Sequence, residues 1–280
     1  MQCIRIGVAL ALLLPVPWAS QAATAPSRRI DAPHTSVELI ADRNTVSPGK
    51  SLWLGLRFVL EPGWHIYWLN PGDSGGAPTL NWRLPADFAA GPIEWPVPER
   101  IEVSSLVNYG YHGDVVLPVE IRVPAQLGAS RTTALGATIH WLVCQELCVP
   151  GDGTLELTLP VQQSSGTRTS DWPELIARAR ARVPREAPAS WKAGAASDGD
   201  SFIVSVETGQ REQNGVFFPL EESQINDSAP QRITPLDRGL RFTLRKSNQL
   251  VRLPASLRGV VRFADGRAFV VTAPVRQGTK

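Results

Sequence analysis

The stretch Trp141-Leu142-Val143-Cys144-Gln145-Glu146-Leu147-Cys148-Val149-Pro150-Gly151 decides how the rest of the chain is read. Four residues of extended strand would hold Cys144 and Cys148 about 13 Å apart. A disulfide needs Cα atoms roughly 4.4–6.8 Å apart, so a bond between them requires the chain to turn. An apolar strand, Ile139 to Val143, leads in, and Pro150-Gly151-Asp152-Gly153 follows as a turn signal. The reading is a strand-end loop with a closely spaced, redox-capable pair.

The third cysteine, Cys3, lies in a segment with the features of a secretory leader. Arg5 gives the positive start, Ile6 to Leu14 the apolar run and Ser20-Gln21-Ala22 a small-x-small cleavage site. Cleavage after Ala22 leaves 258 of the 280 residues, room for two domains of ordinary size. Loss of Arg5 takes the 28 basic residues to 27, against 26 acidic ones. That balance argues against a nucleic-acid or anionic-lipid surface. No later stretch approaches the roughly 18 apolar residues of a membrane span. The expected product is a soluble, exported chain with two cysteines, in a compartment where disulfides persist. In the chain-entropy model a five-residue loop stabilises by only about 2 kcal/mol. Composition leaves a structural staple and a redox pair level.

Outward from the cysteines the apolar residues alternate as in strands. Val37 to Ala41 and Leu52, Leu54, Leu56 flank the turn Ser47-Pro48-Gly49-Lys50. Trp64-His65-Ile66-Tyr67-Trp68 suits a half-buried pleated surface, and Asn70 to Gly76 reads as a loop. Trp82 to Leu84, Ile93 to Trp95, Val115 to Val123, Ala134 to Val143 and Leu155, Leu157, Leu159 complete an all-β set that predicts a sandwich. Residues 23–35 read as a loose lead-in. Gln162 to Ser170 is polar, and Asp171-Trp172-Pro173-Glu174 opens a helix to about Val183 with Asp171 as N-cap. Arg178, Arg180 and Arg182 suit the helix's negative end. Ala187 to Asp200 reads as a linker. Strand signals resume at Ser201, and Asp265-Gly266 between two alternating runs predicts a hairpin. The expected organisation is a leader at 1–22, a cysteine-bearing β-sandwich at 23–165, helix and linker at 166–200, and a smaller β-domain at 201–280.

Other motifs are weighed against plainer explanations. The three-residue spacing of Cys144 and Cys148 is not the C-x-x-C of a thioredoxin helix start, and no βαβ pattern surrounds it. His65, His112 and His140 are read as ordinary strand or loop residues; a copper site with the cysteines is a minor alternative. The five tryptophans from Trp53 to Trp95 are assigned to packing and not to a sugar-binding face. Tyr109-Gly110-Tyr111-His112-Gly113, with glycines bracketing the aromatics, is either a plain loop or an aromatic flap over a reactive site.

Asn108-Tyr109-Gly110, then Val115-Val116-Leu117-Pro118-Val119, then a strand ending in a paired-cysteine loop before Pro150, resembles the N-terminal periplasmic domain of the DsbD family of thiol:disulfide interchange proteins. Trp64 to Gly75, Ile93 to Pro98 and Trp141 to Cys144 look closest to the ScsB-like branch, and the likeness covers roughly Val37 to Val161. The resemblance implies an immunoglobulin-like fold and two catalytic cysteines that shuttle electrons without a cofactor or metal. By position Cys148 matches the cysteine that forms mixed disulfides and Cys144 its resolving mate. Asn108, Tyr109, Gly110, Tyr111 and His112 match the family's cap loop. The implied partners are thioredoxin-fold periplasmic proteins, of disulfide isomerase or cytochrome c maturation type. Family members draw electrons from a membrane-embedded domain; here a separate membrane reductase chain is expected to supply them.

The better-known members have a longer cysteine spacing and a phenylalanine in the cap. Their acidic cap residues are Leu106 and Val107 here, which leaves Glu146 as the candidate for electrostatic tuning. The rival readings are a non-catalytic binding or assembly module with a structural disulfide, and a copper-stress binding protein.

Overall fold

The computed structural model describes residues 28–128, 130–162 and 172–277. In chain order the strands are β1 (Arg29–Ala32), β2 (Thr35–Ala41), β3 (Leu52–Leu60), β4 (His65–Gly72), β5 (Thr79–Arg83), β6 (Ala89–Ile93), β7 (Glu99–Val103), β8 (Leu106–His112), β9 (Asp114–Arg122), β10 (Thr132–Cys144) and β11 (Cys148–Pro160). Helix α1 (Pro173–Ala181) follows. After it come β12 (Arg185–Glu186), β13 (Lys192–Asp198), β14 (Ser201–Glu207), β15 (Gly215–Pro219), β16 (Arg232–Leu236), β17 (Gly239–Arg245), β18 (Ser256–Phe263) and β19 (Ala268–Gln277). The leader, most of the polar stretch before the helix and Asp171 lie outside the described residues.

One sheet runs β1-β2-β3-β9-β6 and a second β11-β10-β4-β8-β7, with β5 paired to β10. Every pairing in both is antiparallel. The two face each other as an immunoglobulin-like sandwich. Val37, Leu39, Leu54, Leu56, Phe58 and Leu117 of the first sheet meet Ile66, Trp68, Tyr109, Leu135, Ile139 and Trp141 of the second in one core. Alternate residues along each strand supply that core, as the period of two demands. Leu52, Leu54 and Leu56 line it as their alternation predicts.

Helix α1 lies on the outer side of the first sheet, where Ile176 and Ala179 bury against Ile40 and Val116. A Cβ at Gly55 would press on Val116, Ile40 and Ile176 together, so the glycine lets the helix approach. The N-cap position is held by Trp172 without a side-chain cap bond, and Pro173 starts the first turn instead.

The third sheet runs β15-β18-β19-β13-β14-β17-β16, with β12 beside β19. Phe202, Val204, Val206, Phe217, Phe242 and Val261 form its own core. The predicted hairpin joins β18 to β19, with Gly266 at φ +86° and Asp265 accepting from the Arg267 amide. Phe218 and Val260 turn the other way and join the sandwich core. There Phe218 meets Trp68 and Tyr109 edge to face, with ring centroids 6.2 and 5.4 Å away. Asn70 donates to the Pro219 carbonyl at 2.9 Å and Tyr109 to Asp227 at 2.9 Å. The second β-unit is docked.

Four local expectations are corrected. Residues 29–32 of the lead-in form β1, because Ile30 packs into the space left at Gly153. Residues 192–198 of the supposed linker form β13, whose small side chains carry no apolar alternation but whose backbone pairs with β14 and β19. Pro150 to Gly153 does not turn; β11 continues through it. Strand β4 runs on through Asn70, Pro71 and Gly72, with its register shifting against β8.

Candidate redox-active disulfide site

Strands β10 and β11 make the longest hairpin of the chain, in register from Thr132 opposite Pro160 to Cys144 opposite Cys148. Only Gln145, Glu146 and Leu147 lie between them, and the reversal brings the cysteine Cα atoms to 4.2 Å, joined by a disulfide. Glycine serves packing here: a Cβ at Gly151 would overlap the Trp141 indole across the ladder. The two sulfurs stand in different surroundings. Cys144 is 2% exposed, whereas Cys148 and the loop before it face solvent, with Leu147 78% exposed.

Period-two alternation decides which neighbours reach the sulfurs. Along β4, Ile66 and Trp68 enter the sandwich core, so His65 and Tyr67 point to the outer face of the sheet. On β10, Trp141 and Val143 enter the core, and Cys144 shares the outer face directly opposite His65. The Tyr67 hydroxyl lies 3.4 Å from Cys148 Sγ; a disulfide sulfur has no proton, so the phenol donates. Burial raises the Tyr67 pKa, with a bond to Ser74 opposing, so the phenol keeps its proton at neutral pH.

His65 is 1% exposed. Burial, and secondarily the neighbouring His112, lower its pKa to about 4, so it is a neutral imidazole at physiological pH. Asn108 Nδ2 lies 3.3 Å from His65 Nε2. An amide nitrogen can only donate, so Nε2 accepts and the ring proton sits on Nδ1. Asn108 Oδ1 accepts in turn from Ser74 at 3.0 Å. The segment after β4 therefore lies over Tyr67. Gly75, at φ +94°, presses against the phenol ring where any Cβ would overlap it. Asp73 fixes this segment to β8, its carboxylate accepting from the Val107 amide at 2.8 Å.

Of the residues expected from sequence, Cys144 and Cys148 are brought together. Asn108, Tyr109, Gly110, Tyr111 and His112 are not a loop. They lie in β8, paired with β4 on one side and β7 on the other. Tyr109 and Tyr111 point into the core, away from the sulfurs, and are 0% and 2% exposed. Their hydroxyls are bound to Asp227 and, at 2.7 Å, to the Pro96 carbonyl. The glycine between them leaves room for the Ile66 carbonyl on the adjacent strand; it is not a flap hinge. Asn108 reaches the site network by its bond to His65, and His112 packs edge-on against the His65 ring at 5.8 Å while bonding Glu99 at 3.1 Å. Glu146 is exposed at the loop tip with no ion pair among the described residues. Among the described residues no three histidine, cysteine or acidic side chains cluster as a metal site. Tyr67 and the Ser74-Gly75 cover were not assigned to the site from sequence, and His65 was read there as an ordinary strand or loop residue. The signal was available: Tyr67 lies two residues after His65, so both share one face of a strand.

The sequence pattern described as thiol:disulfide interchange protein DsbD, N-terminal, matches residues 36–160. No curated protein sequence matches the chain. Among solved structures, the N-terminal periplasmic domain of ScsB from Proteus mirabilis superposes with a TM-score of 0.67 at 21% identity, covering 89% of this chain and 98% of that one, which shows a shared fold. The periplasmic chaperones SfaE and YadV also align, at 10% and 12% identity and with TM-scores of 0.21 and 0.24, over 86% and 85% of this chain and 100% and 98% of theirs. Those two superpositions are too loose to carry any inference. With the sandwich, the hairpin disulfide and the matched pattern together, residues 36–160 belong to the family of DsbD N-terminal domains.

Proposed function

We propose that the chain is a periplasmic thiol–disulfide exchange protein. It passes reducing equivalents between a membrane-linked reductase and thioredoxin-fold partners, with Cys148 as the attacked sulfur and Cys144 as its resolving mate. The observation that carries this reading is the asymmetry of the bond: Cys148 stands exposed at a hairpin tip while Cys144 is buried beneath it. A partner thiolate attacks Cys148 Sγ, the Cys144–Cys148 bond breaks, and its electron pair leaves on Cys144 as thiolate. The partner's second thiolate then attacks the partner sulfur of the mixed disulfide, releasing Cys148. The partner leaves as a disulfide and this chain as a dithiol, two electrons having moved. In the reverse direction the Cys148 thiolate attacks a partner disulfide and Cys144 resolves the product. The Tyr67 hydroxyl supports the charged form of Cys148, and exposed Leu147 offers an apolar contact beside the reacting sulfur. In this reading the exchange unit spans residues 23–165 and the second β-unit is an accessory domain.

The test is to trap mixed disulfides with a Cys144→Ser variant in periplasmic extract. Cys148 should capture thioredoxin-fold proteins, and the capture should vanish in the Cys144→Ser/Cys148→Ser double variant. Capture of none refutes exchange and leaves a binding or assembly module with a structural bridge.

A further inference from the structure

A second feature shares no lining residue with the sulfur site. Where the end of α1, the segment around Val97 and the β18–β19 hairpin converge, a cleft of about 590 Å³ opens, lined by Arg180, Arg182, Arg185, Arg262 and Arg267. That volume lies within the range of small-ligand sites, about 300–1,000 Å³.

The charges in this cleft are not neutralised from within. Arg267 is held by Glu212 at 2.9 Å and by Asp265, and Arg180 has Glu94 only at 4.0 Å. Arg182, Arg185 and Arg262 have no carboxylate within ion-pair distance among the described residues. Like charges brought together repel, and more strongly beside a low-dielectric wall than in open water. Bringing five guanidinium groups together therefore carries mutual repulsion in the empty fold, which carboxylates offset only at Arg267 and Arg180. The α1 C-terminus contributes an opposing half-charge of about −0.5 at most, which cannot balance three unpaired cations.

Aromatic rings also hold these groups in place. Arg180 lies over Trp53 at 3.5 Å, Arg185 over Phe269 at 5.2 Å, Arg262 over Phe218 at 5.4 Å and Arg267 over Phe263 at 5.0 Å. A guanidinium packed on a ring loses part of its rotamer freedom before any ligand arrives, while its N–H edge stays free to donate. Arg267 spends donors on Glu212 and Asp265, and Arg262 gives one to the Pro98 carbonyl at 3.5 Å and keeps the others. Such forks match phosphoryl oxygens two at a time. Four of the five arginines are placed on rings in this way.

We propose that this cleft binds a multiply charged anion of the phosphate class, either free or as a lipid headgroup, with Arg182, Arg185 and Arg262 as its main ligands. Because the cleft joins α1 to the second β-unit, an occupant holds the two together.

Isothermal titration of the oxidised full chain with pyrophosphate, at low and at physiological salt, tests the free source. Co-sedimentation with phosphatidylglycerol vesicles, against phosphatidylcholine vesicles, tests the headgroup source. Arg182 and Arg185 are exposed, and the α1 C-terminal bonds use the Arg182 backbone and not its side chain, so an Arg182→Gln/Arg185→Gln variant should fold; its melting temperature checks this. One saturable site for pyrophosphate, weakened by salt and weakened at least about tenfold in the double variant, supports a free anion. Sedimentation with anionic vesicles alone, lost in the same variant, supports a headgroup. Arg83→Gln, on β5, should change neither result. Failure of both assays, or binding indifferent to the double substitution, overturns the proposal.

Discussion

Tyr67→Phe removes one oxygen from the site and leaves the ring that Gly75 packs against. It removes the hydroxyl's 3.4 Å approach to Cys148 Sγ and its bond to Ser74, and the second is lost in both redox forms alike. In the disulfide the sulfur contact is a weak neutral one, whereas in the dithiol form the sulfur can carry a full charge. Hydrogen bonds to charged groups contribute roughly 1.5–3 kcal/mol, and neutral ones about 1 or less. Cys148 is exposed, so water replaces part of the loss, and the difference between the two, roughly 0.5–2 kcal/mol, is taken at the low end, about 0.7 kcal/mol. For a two-electron couple that is about 15 mV. The sign follows from which state loses more: the reduced form is destabilised, so the potential becomes more negative. The shift should be largest at pH values where the Cys148 thiolate is populated and should shrink as acid protonates it. Equilibration against a glutathione buffer, with the dithiol fraction read by alkylation and mass spectrometry, measures it directly. Tyr111→Phe is the control, since it loses a buried bond to Pro96 on the opposite face of the sheet and should lower stability without moving the potential. A potential in Tyr67→Phe that stays put, or rises, refutes the assignment of Tyr67 as the donor to the reactive sulfur.

Gly75→Ala should combine a left-handed backbone penalty of about 1–2 kcal/mol with overlap of the Tyr67 ring, lifting the Ser74-Gly75 cover. A lower melting temperature together with faster reduction by dithiothreitol would show it, and unchanged reduction kinetics would count against the cover. Burial raises the Asp227 pKa from 3.8 to about 6, with the Tyr109 bond opposing. The folded state therefore holds the extra proton, and this stabilising contribution is lost as pH rises through about 6. Asp227→Asn should melt higher than the parent above pH 6, with the gap closing in acid; a gap independent of pH would contradict it. His65 acts in the opposite sense: lowered from 6.5 to about 4, it costs stability as pH falls below 6.5, and His65→Gln should flatten the acid side of the melting profile.

The hairpin that makes the disulfide was legible because its parts are local. Ile139 to Val143 alternates into a strand, the cysteines require a reversal, and Leu155, Leu157 and Leu159 bring the chain back. The Asp265-Gly266 turn was legible for the same reason. Glycine and proline misled wherever they serve tertiary packing. Gly110 makes room for a neighbouring strand's carbonyl and Gly151 for the Trp141 ring, yet both look like punctuation in one dimension. Strand β13 was missed because Ala193, Gly194, Ala195 and Ala196 show no apolar period; neighbours on both sides impose the extended form. Tyr67 and Cys148, 81 residues apart, meet only after three strands have taken their order.

That order also explains why the second β-unit is more than an appendage to the site. Tyr67 and Trp68 are consecutive on β4 and necessarily face opposite ways. One carries its hydroxyl to Cys148 Sγ, and the other lies against Phe218 of the docked unit, with Asn70 two residues on donating to the Pro219 carbonyl. The same short strand thus forms part of the face that carries the disulfide and part of the dock. The dock packs on the same strand that places the phenol 3.4 Å from Cys148. Replacing Phe218 by alanine would open a cavity beside Trp68, a change of about 3–5 kcal/mol in comparable cores. Local strand geometry, not distance through space, is what ties the accessory unit to the chemistry of the disulfide.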